Sequence, residues 1–210
     1  MIFEKNLKII EKRWPHLTDR CADDLDRDEY PNGDLVFSGE KITVRLSDGN
    51  ERFLHSPIDP IHEAERWVEN QAWKSEAVVV LGFGCGYHVE AALANKEIKR
   101  LLVCEICLPL FKQVINYVDL TPIFQDSRFE LALGGCEEIK KLPQGLVPFK
   151  KAVIWRYMPA VNLCPKEYEA VENYLNQRMA EAKGFGRPYS GLGPLELHHG
   201  VFLLMQDIIQ

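Results

Sequence analysis

The sequence predicts an α/β fold: a parallel sheet between two helical layers, preceded by a helix and a small antiparallel β element. Three observations carry this. Val78–Leu81 is a continuous apolar run with three β-branched residues, as a strand buried on both faces requires. It runs straight into Gly82, Gly84 and Gly86, which suit a tight turn where backbone comes close to something else. Further on, short apolar runs alternate with helical patterns through residue 183, and such alternation implies a parallel sheet with right-handed crossovers. The core is therefore Rossmann-like. Three parts are expected: 1–58, helix and small β element; 59–183, α/β domain; 184–210, a Gly/Pro-rich linker and an apolar helix.

Each element has its own signal. Phe3, Leu7, Ile10 and Trp14 recur at helical spacing, predicting a helix over 2–14 that Pro15 stops. Residues 17–33 are acidic and turn-rich and read as a surface connection. Their aspartates (Asp23, Asp24, Asp26, Asp28) lack the glycine and terminal glutamate of a calcium loop. Three strand-like pieces follow at 35–37, 42–46 and 52–54, with turn chemistry at Asn32-Gly33 and Asp48-Gly49-Asn50. Asp59-Pro60 opens a helix with Asp as N-cap and Pro at the first helical position; Ile61, Ala64, Trp67 and Val68 give it one apolar face. Trp67 and Trp73 read as packing residues.

Core strands are predicted at 77–81, 101–105, 129–133 and 152–155, and helices at 87–95, 109–118, 136–141 and 166–183. The last helix carries Tyr168, Val171, Leu175 and Met179 on one stripe and ends before Gly184. Residues 184–194, GFGRPYSGLGP, read as a linker or mobile loop. Leu197, Val201, Leu204, Met205 and Ile208 then mark an apolar helix over 195–210, whose face needs a partner: the sheet, further chain, or a second copy in a homodimer.

Totals exclude several function classes. The chain has 210 residues and a net charge of −6, with no basic run or stripe for nucleic acid. No apolar segment reaches membrane-spanning length, and the charged N-terminus is no signal peptide. Six scattered cysteines, several in apolar runs, fit buried thiols in a reducing compartment, so a cytoplasmic protein is expected.

A strand, a glycine turn and a helix N-terminus together make an anion cradle, because free N–H groups and the helix dipole face the ligand. Ligand crevices in such sheets lie beyond the carboxyl ends of the strands. The candidate binding residues are therefore Gly82, Phe83, Gly84, Gly86, Tyr87, His88, Glu105 and Gly134, with Gly135, Arg156 and Tyr157 also at strand ends. Glu105 stands where such folds place a carboxylate on a ribose hydroxyl. The expected ligand is a nucleotide or an S-adenosylmethionine-like molecule. The pattern is GxGxG, with Tyr87 where the dinucleotide fingerprint has its last glycine. Glycines that merely let helix and strand pack, with Glu105 a solvated acid, are the structural alternative.

Catalytic patterns are missing. Cys104-x-x-Cys107 has redox or zinc spacing but no second pair. His198 and His199 are adjacent and would point about 100° apart on a helix. Neither a phosphate-loop lysine nor a serine nucleophile elbow occurs.

Longer stretches carry a resemblance. FEKNLKIIEKRWP (3–15), LHSPIDPIHEAERW (54–67), VVVLGFGCGYHVEAAL (78–93), LLVCEICLPLFKQVI (101–115) and YMPAVNLCPKEYEAVENYL (157–175) occur in order. Together they resemble the N-terminal domain of the motility accessory factor (Maf) proteins, bacterial flagellin glycosyltransferases implicated in attaching nonulosonic acids. The resemblance implies a glycine turn at Gly82, Gly84, Gly86, Tyr87 and His88 and its acid at Glu105. It implies flagellin or a C-terminal transferase domain as partner; no metal is expected from the residue patterns above. Those proteins are longer, and the presumed sugar-transferring domain follows this region, so the chain alone is expected to transfer no sugar.

Two other readings fit the same residues. A class I methyltransferase shares GxGxG and the acid after the second strand, but Val80 stands where those enzymes usually carry an acid. A degenerate Rossmann-like module that docks proteins needs no ligand at all.

Overall fold

The computed structural model describes residues 1–22, 33–38, 41–46, 51–71, 75–142, 145–146 and 148–184, with backbone alone over 33–38, 41–46 and 51–52. Expectations placed on other residues lie outside this description: the aspartate cluster, the turn at Asn32, the turn at Asp48-Gly49-Asn50, Trp73, the linker beyond Gly184 and the helix over 195–210.

Among the described residues two sheets form. β1 (Gly33–Ser38), β2 (Lys41–Leu46) and β3 (Glu51–Phe53) make an antiparallel sheet in that order. β4 (Ala77–Leu81), β5 (Arg100–Glu105), β6 (Phe129–Leu133) and β7 (Val153–Arg156) make a parallel sheet of order β6-β5-β4-β7. The chain runs outward from β4 to β6, then returns to the other side of β4. The order therefore reverses at β4, and the carboxyl ends of β4 and β7 flank the switch point. β4 is buried at every position, as its unbroken apolar run requires.

The helices are α1 (Ile2–Arg13), α2 (Thr18–Ala22), α3 (Pro60–Glu69), α4 (Tyr87–Ala94), α5 (Leu108–Tyr117), α6 (Thr121–Gln125), α7 (Cys136–Lys140), α8 (Met158–Val161) and α9 (Pro165–Ala182). α1 lies against α5 and α6, and α3 against α4, while α7 packs on α9. Right-handed crossovers put α4, α5 and α6, with α1 and α3 against them, on one face of the sheet and α7, with α9, on the other. The α/β class and the parallel Rossmann-like core stand as the sequence predicts. Asp59 caps α3 as expected, its carboxylate accepting from the His62 N–H at 2.9 Å with Pro60 in the first turn.

The structure corrects one stretch. Residues 17–22, expected in a surface connection, belong to a 3-10 turn (Pro15–Leu17) and to α2, and Leu17 and Cys21 are buried. Arg20 holds α2 down by donating to the Leu133 carbonyl at 2.9 Å, beside the Glu138 carboxylate. The acidic composition of the segment masked these two inward side chains.

Polar clamps dock the helices where backbone groups would otherwise be orphaned. Buried Asn6 of α1 donates to the carbonyls of Ile115 and Val118 at the end of α5 and accepts from the Leu120 N–H. Arg13 donates to the carbonyls of Phe124, Asp126 and Phe129. Arg128 donates to the carbonyls of Leu93, Asn95 and Ile98 at the end of α4 and pairs with Asp126 at 2.6 Å. Replacing Arg128 by alanine leaves those carbonyls unpaired and is expected to cost about 2–3 kcal/mol. Urea denaturation measures it; Arg128→Lys, with one donor group instead of a fork, should recover less than half.

Candidate functional site

Glycine decides the turn after β4. Gly82, Gly84 and Gly86 have φ of +96°, +50° and +89°, the left-handed side that L residues avoid. The turn thereby folds back sharply, with the Gly86 N–H donating to the Phe83 carbonyl at 3.0 Å, and Gly86 becomes the N-cap of α4.

In an anion cradle the N–H groups of such a turn face a ligand. Here they face Glu105. The Phe83 N–H donates to Glu105 Oε2 at 2.7 Å, and the Gly84 backbone also bonds this carboxylate. Oε1 accepts from the Cys107 N–H and from the Tyr168 hydroxyl, both at 2.8 Å. Glu105 is 1% exposed. Burial raises its pKa above the usual carboxylate range, and these donors pull the other way. The N–H groups of the turn do have a partner, and the chain's own carboxyl group supplies it.

The switch point is filled as well. Tyr157 follows β7 directly, its N–H donating to the Leu81 carbonyl at 2.9 Å. Its ring stacks on His88, with centroids 3.6 Å apart and planes 9° from parallel. Its hydroxyl donates to the Leu54 carbonyl, so the phenol bridges the glycine turn and the segment before α3. Trp67 of α3 packs edge-to-face with His88, Tyr157 and Trp155. A Cβ on Gly82 would stand 2.7 Å from the Ala160 Cβ, and one on Gly84 would stand 2.8 Å from Tyr157 Cε1. Backbone does approach something here, as the glycines foretold, but that something is α8 and Tyr157.

His88 is 1% exposed and bonded through Nε2 to the Gly82 carbonyl at 2.9 Å. A carbonyl only accepts, so Nε2 carries the proton. Burial depresses the imidazole pKa to about 3, the Gly82 bond opposing the shift, and the ring is neutral at physiological pH.

Seven of the eight expected binding residues are thus gathered around one turn, though not around an open crevice. Gly82, Phe83, Gly84, Gly86, His88, Glu105 and Gly134 are buried, and Tyr87 is half-buried. Gly134 sits one strand over, its N–H donating to the Glu105 carbonyl at 2.8 Å. Arg156 points away, its guanidinium forked onto Glu172 at the surface. Cys104 and Cys107 are buried free thiols, and no metal-binding cluster occurs among the described residues. A recess of about 680 Å³ opens between α3 and α4, lined by Ile61, Glu65, Val68, Glu90, Ala91 and Trp155 among others; it reaches the turn only at Tyr87.

Sequence reasoning placed Tyr157 at the strand ends but missed Tyr168 and Ala160. Tyr168 was legible as a member of an apolar stripe, and Tyr157 as a strand-end residue, but nothing local marks either as a plug.

A family model described as the glycosyltransferase Maf N-terminal domain matches residues 25–130, just over half of the chain. The chain belongs to the Maf glycosyltransferase N-terminal domain family. The fold agrees. A solved Maf glycosyltransferase from Magnetospirillum magneticum AMB-1 superposes with a TM-score of 0.51 over 89% of this chain, at 14% identity. At that identity the likeness is one of fold alone. This chain spans 35% of that Maf protein's length. No curated protein matches the sequence significantly. Among the described residues of this Maf domain, no helix is long and apolar enough to cross a membrane.

Proposed function

We propose that this chain is a docking module for flagellin glycosylation in the cytoplasm: it holds flagellin, or a transferring domain, and carries out no group transfer itself. One observation supports this above the alternatives. The place where a Rossmann-like fold takes its nucleotide is occupied from within, by Glu105 on the turn N–H groups and by Tyr157 on His88. Group transfer needs a base to activate an acceptor or a charge clamp for the leaving group. Of the groups near the turn, His88 is buried and bonded to the Gly82 carbonyl, Glu105 is surrounded by internal donors, and Arg156 is paired with Glu172. Membership in the Maf N-terminal domain family supports a part in glycosylation, and the resemblance of the motifs supports flagellin as acceptor.

Two measurements test the reading. Unglycosylated flagellin, passed over the immobilised chain, should be retained, and mass spectrometry after incubation with an activated nonulosonic acid should find no added sugar. Thermal shift with S-adenosylmethionine, S-adenosylhomocysteine or cytidine nucleotides at millimolar concentration should find no stabilisation. A true ligand at a hundred times its dissociation constant would add about 2.7 kcal/mol. A concentration-dependent shift with the methyl donor alone would replace this reading with the methyltransferase one.

A further inference from the structure

We infer that the recess between α3 and α4 is the docking face of this module, and that its partner is an amphipathic helix whose apolar stripe is flanked by Lys or Arg. The inference rests on the docking reading above and names the surface that docks. Each wall of the recess is one face of one helix. α3 contributes Ile61, Glu65, Val68 and Glu69, and α4 contributes Tyr87, Glu90, Ala91 and Ala94, both at the three- and four-residue spacing of a single stripe. Buried Ile98 and Trp155 form the floor. Ile61, 62% exposed, extends the apolar strip to the rim. A trough between two helices, about 12 Å long from Ile61 to Glu69, is the shape that receives a third helix. Its volume of about 680 Å³ has room for the anchors that one helix face presents at i, i+3, i+4 and i+7.

Charge decides which kind of helix. Glu65, Glu69, Glu90 and Glu97 line the recess and are exposed, and no lysine or arginine among the described residues lines it. Among the described residues none of the four pairs with a lysine or arginine either; Glu65 has only His62, at 3.8 Å. Cations close by in sequence are turned elsewhere. Arg66 of α3 lines a different hollow together with Asp59 and Glu63, and the Lys99 ammonium donates to the Lys96 carbonyl at 2.7 Å. Four carboxylates around an apolar trough repel one another and any acidic partner. A partner that brings ammonium or guanidinium groups relieves that repulsion and is steered in by it. Residues 72–74, between the lining positions Gln71 and Ser75, lie outside the described residues.

The test uses the purified chain and a synthetic helical peptide of about fourteen residues, with Leu recurring at i, i+3, i+4 and i+7 and Lys on both flanks of the stripe. Two-dimensional NMR follows the Trp155 indole N–H, which is buried without a hydrogen-bond partner and is assigned by Trp155→Phe. The expected result is a shift of this signal that saturates with peptide. Glu65→Lys with Glu90→Lys should weaken binding about tenfold or more. Glu11→Lys with Glu169→Lys makes the same charge change at exposed positions of α1 and α9 and should change binding little. The same peptide with Glu in place of Lys should not bind. Flagellin passed over the immobilised variants separates this inference from the docking reading. Retention lost only in the Glu65/Glu90 variant supports the recess; unchanged retention there overturns the recess and leaves the docking module standing. Peptide binding by a chain that retains no flagellin supports the recess and removes flagellin as its partner. No peptide binding, equal weakening in both double variants, or the same saturating shift with spermine alone overturns the inference. So does binding that appears only in Trp73→Ala, which would mean that the chain's own segment covers the recess. Should the Glu65/Glu90 variant fail to fold, the Lys and Glu peptides compared on the unsubstituted chain decide.

Discussion

Replacing Gly82 by alanine is expected to remove about 3–5 kcal/mol of stability, which for a domain of ordinary stability is a large part of the whole. Two separate penalties combine. At φ +96° an L residue is strained whatever the space around it. The new methyl would also stand 2.7 Å from the Ala160 Cβ and 3.3 Å from the Tyr157 carbonyl oxygen. Neither neighbour moves easily. Ala160 is buried in α8, and Tyr157 is anchored through its N–H to Leu81 and through its hydroxyl to Leu54. Urea denaturation of Gly82→Ala, Ala160→Gly and the double variant separates the two penalties. The double variant should recover the steric part and keep the strain. A Gly82→Ala variant within about 1 kcal/mol of the original would mean that α8 does not sit against the turn.

Acid is expected to unfold the protein through His88. Its imidazole has a folded pKa of about 3, well below the ordinary 6.5, because burial opposes the charged ring. Between those values the unfolded chain binds a proton that the folded chain refuses. The contribution is therefore complete above pH 6.5 and is lost as pH falls toward 3, by roughly 4–5 kcal/mol in all. Glu105 works with the opposite sign. Its folded pKa is raised, so its contribution is complete below the ordinary carboxylate range and is lost as pH rises through the raised value. The His88 part is isolated by difference: between about pH 6.5 and 3 the unfolding free energy of His88→Gln should fall less with acid than that of the original chain. Glutamine can still donate to the Gly82 carbonyl but takes up no proton. An unchanged pH slope in that variant would show that another group carries the acid sensitivity.

The difference between what the sequence foretells and what the fold adds is one of range. Ala77–Leu81 and the glycines after it were legible because their signals are local: an apolar run, and positions that only glycine occupies comfortably. The same holds for Asp59-Pro60 and for the stripe through Tyr168, Val171, Leu175 and Met179. α2, α6 and α8 were not legible, because four or five residues complete barely one helical turn and show no period; α7, as short, was placed only by its position between two strands. The state of the site was hidden for a different reason. Glu105 meets Tyr168 63 positions on, and Tyr157 reaches back 103 positions to Leu54. A turn that binds a ligand and a turn that binds its own chain have the same glycines. Only the residues arriving from far along the sequence tell them apart.

The strand order has a consequence for the nascent chain. β4 is central in the finished sheet, but its two neighbours arrive at different times: β5 follows within about thirty residues, whereas β7 begins at Val153. While residues 106–152 are being synthesised, one side of the most apolar strand is a bare edge, with unpaired N–H and C=O groups open to any passing strand. Closure waits on a contact of long sequence separation, the slow kind. When β7 docks, the following Tyr157 slides over the glycine turn and stacks on His88, so sheet completion and sealing of the turn are one event. A ribosome that pauses before Val153 thus prolongs the life of a species whose β4 edge is open to aggregation, and a chaperone that shields β4 until β7 arrives covers that edge.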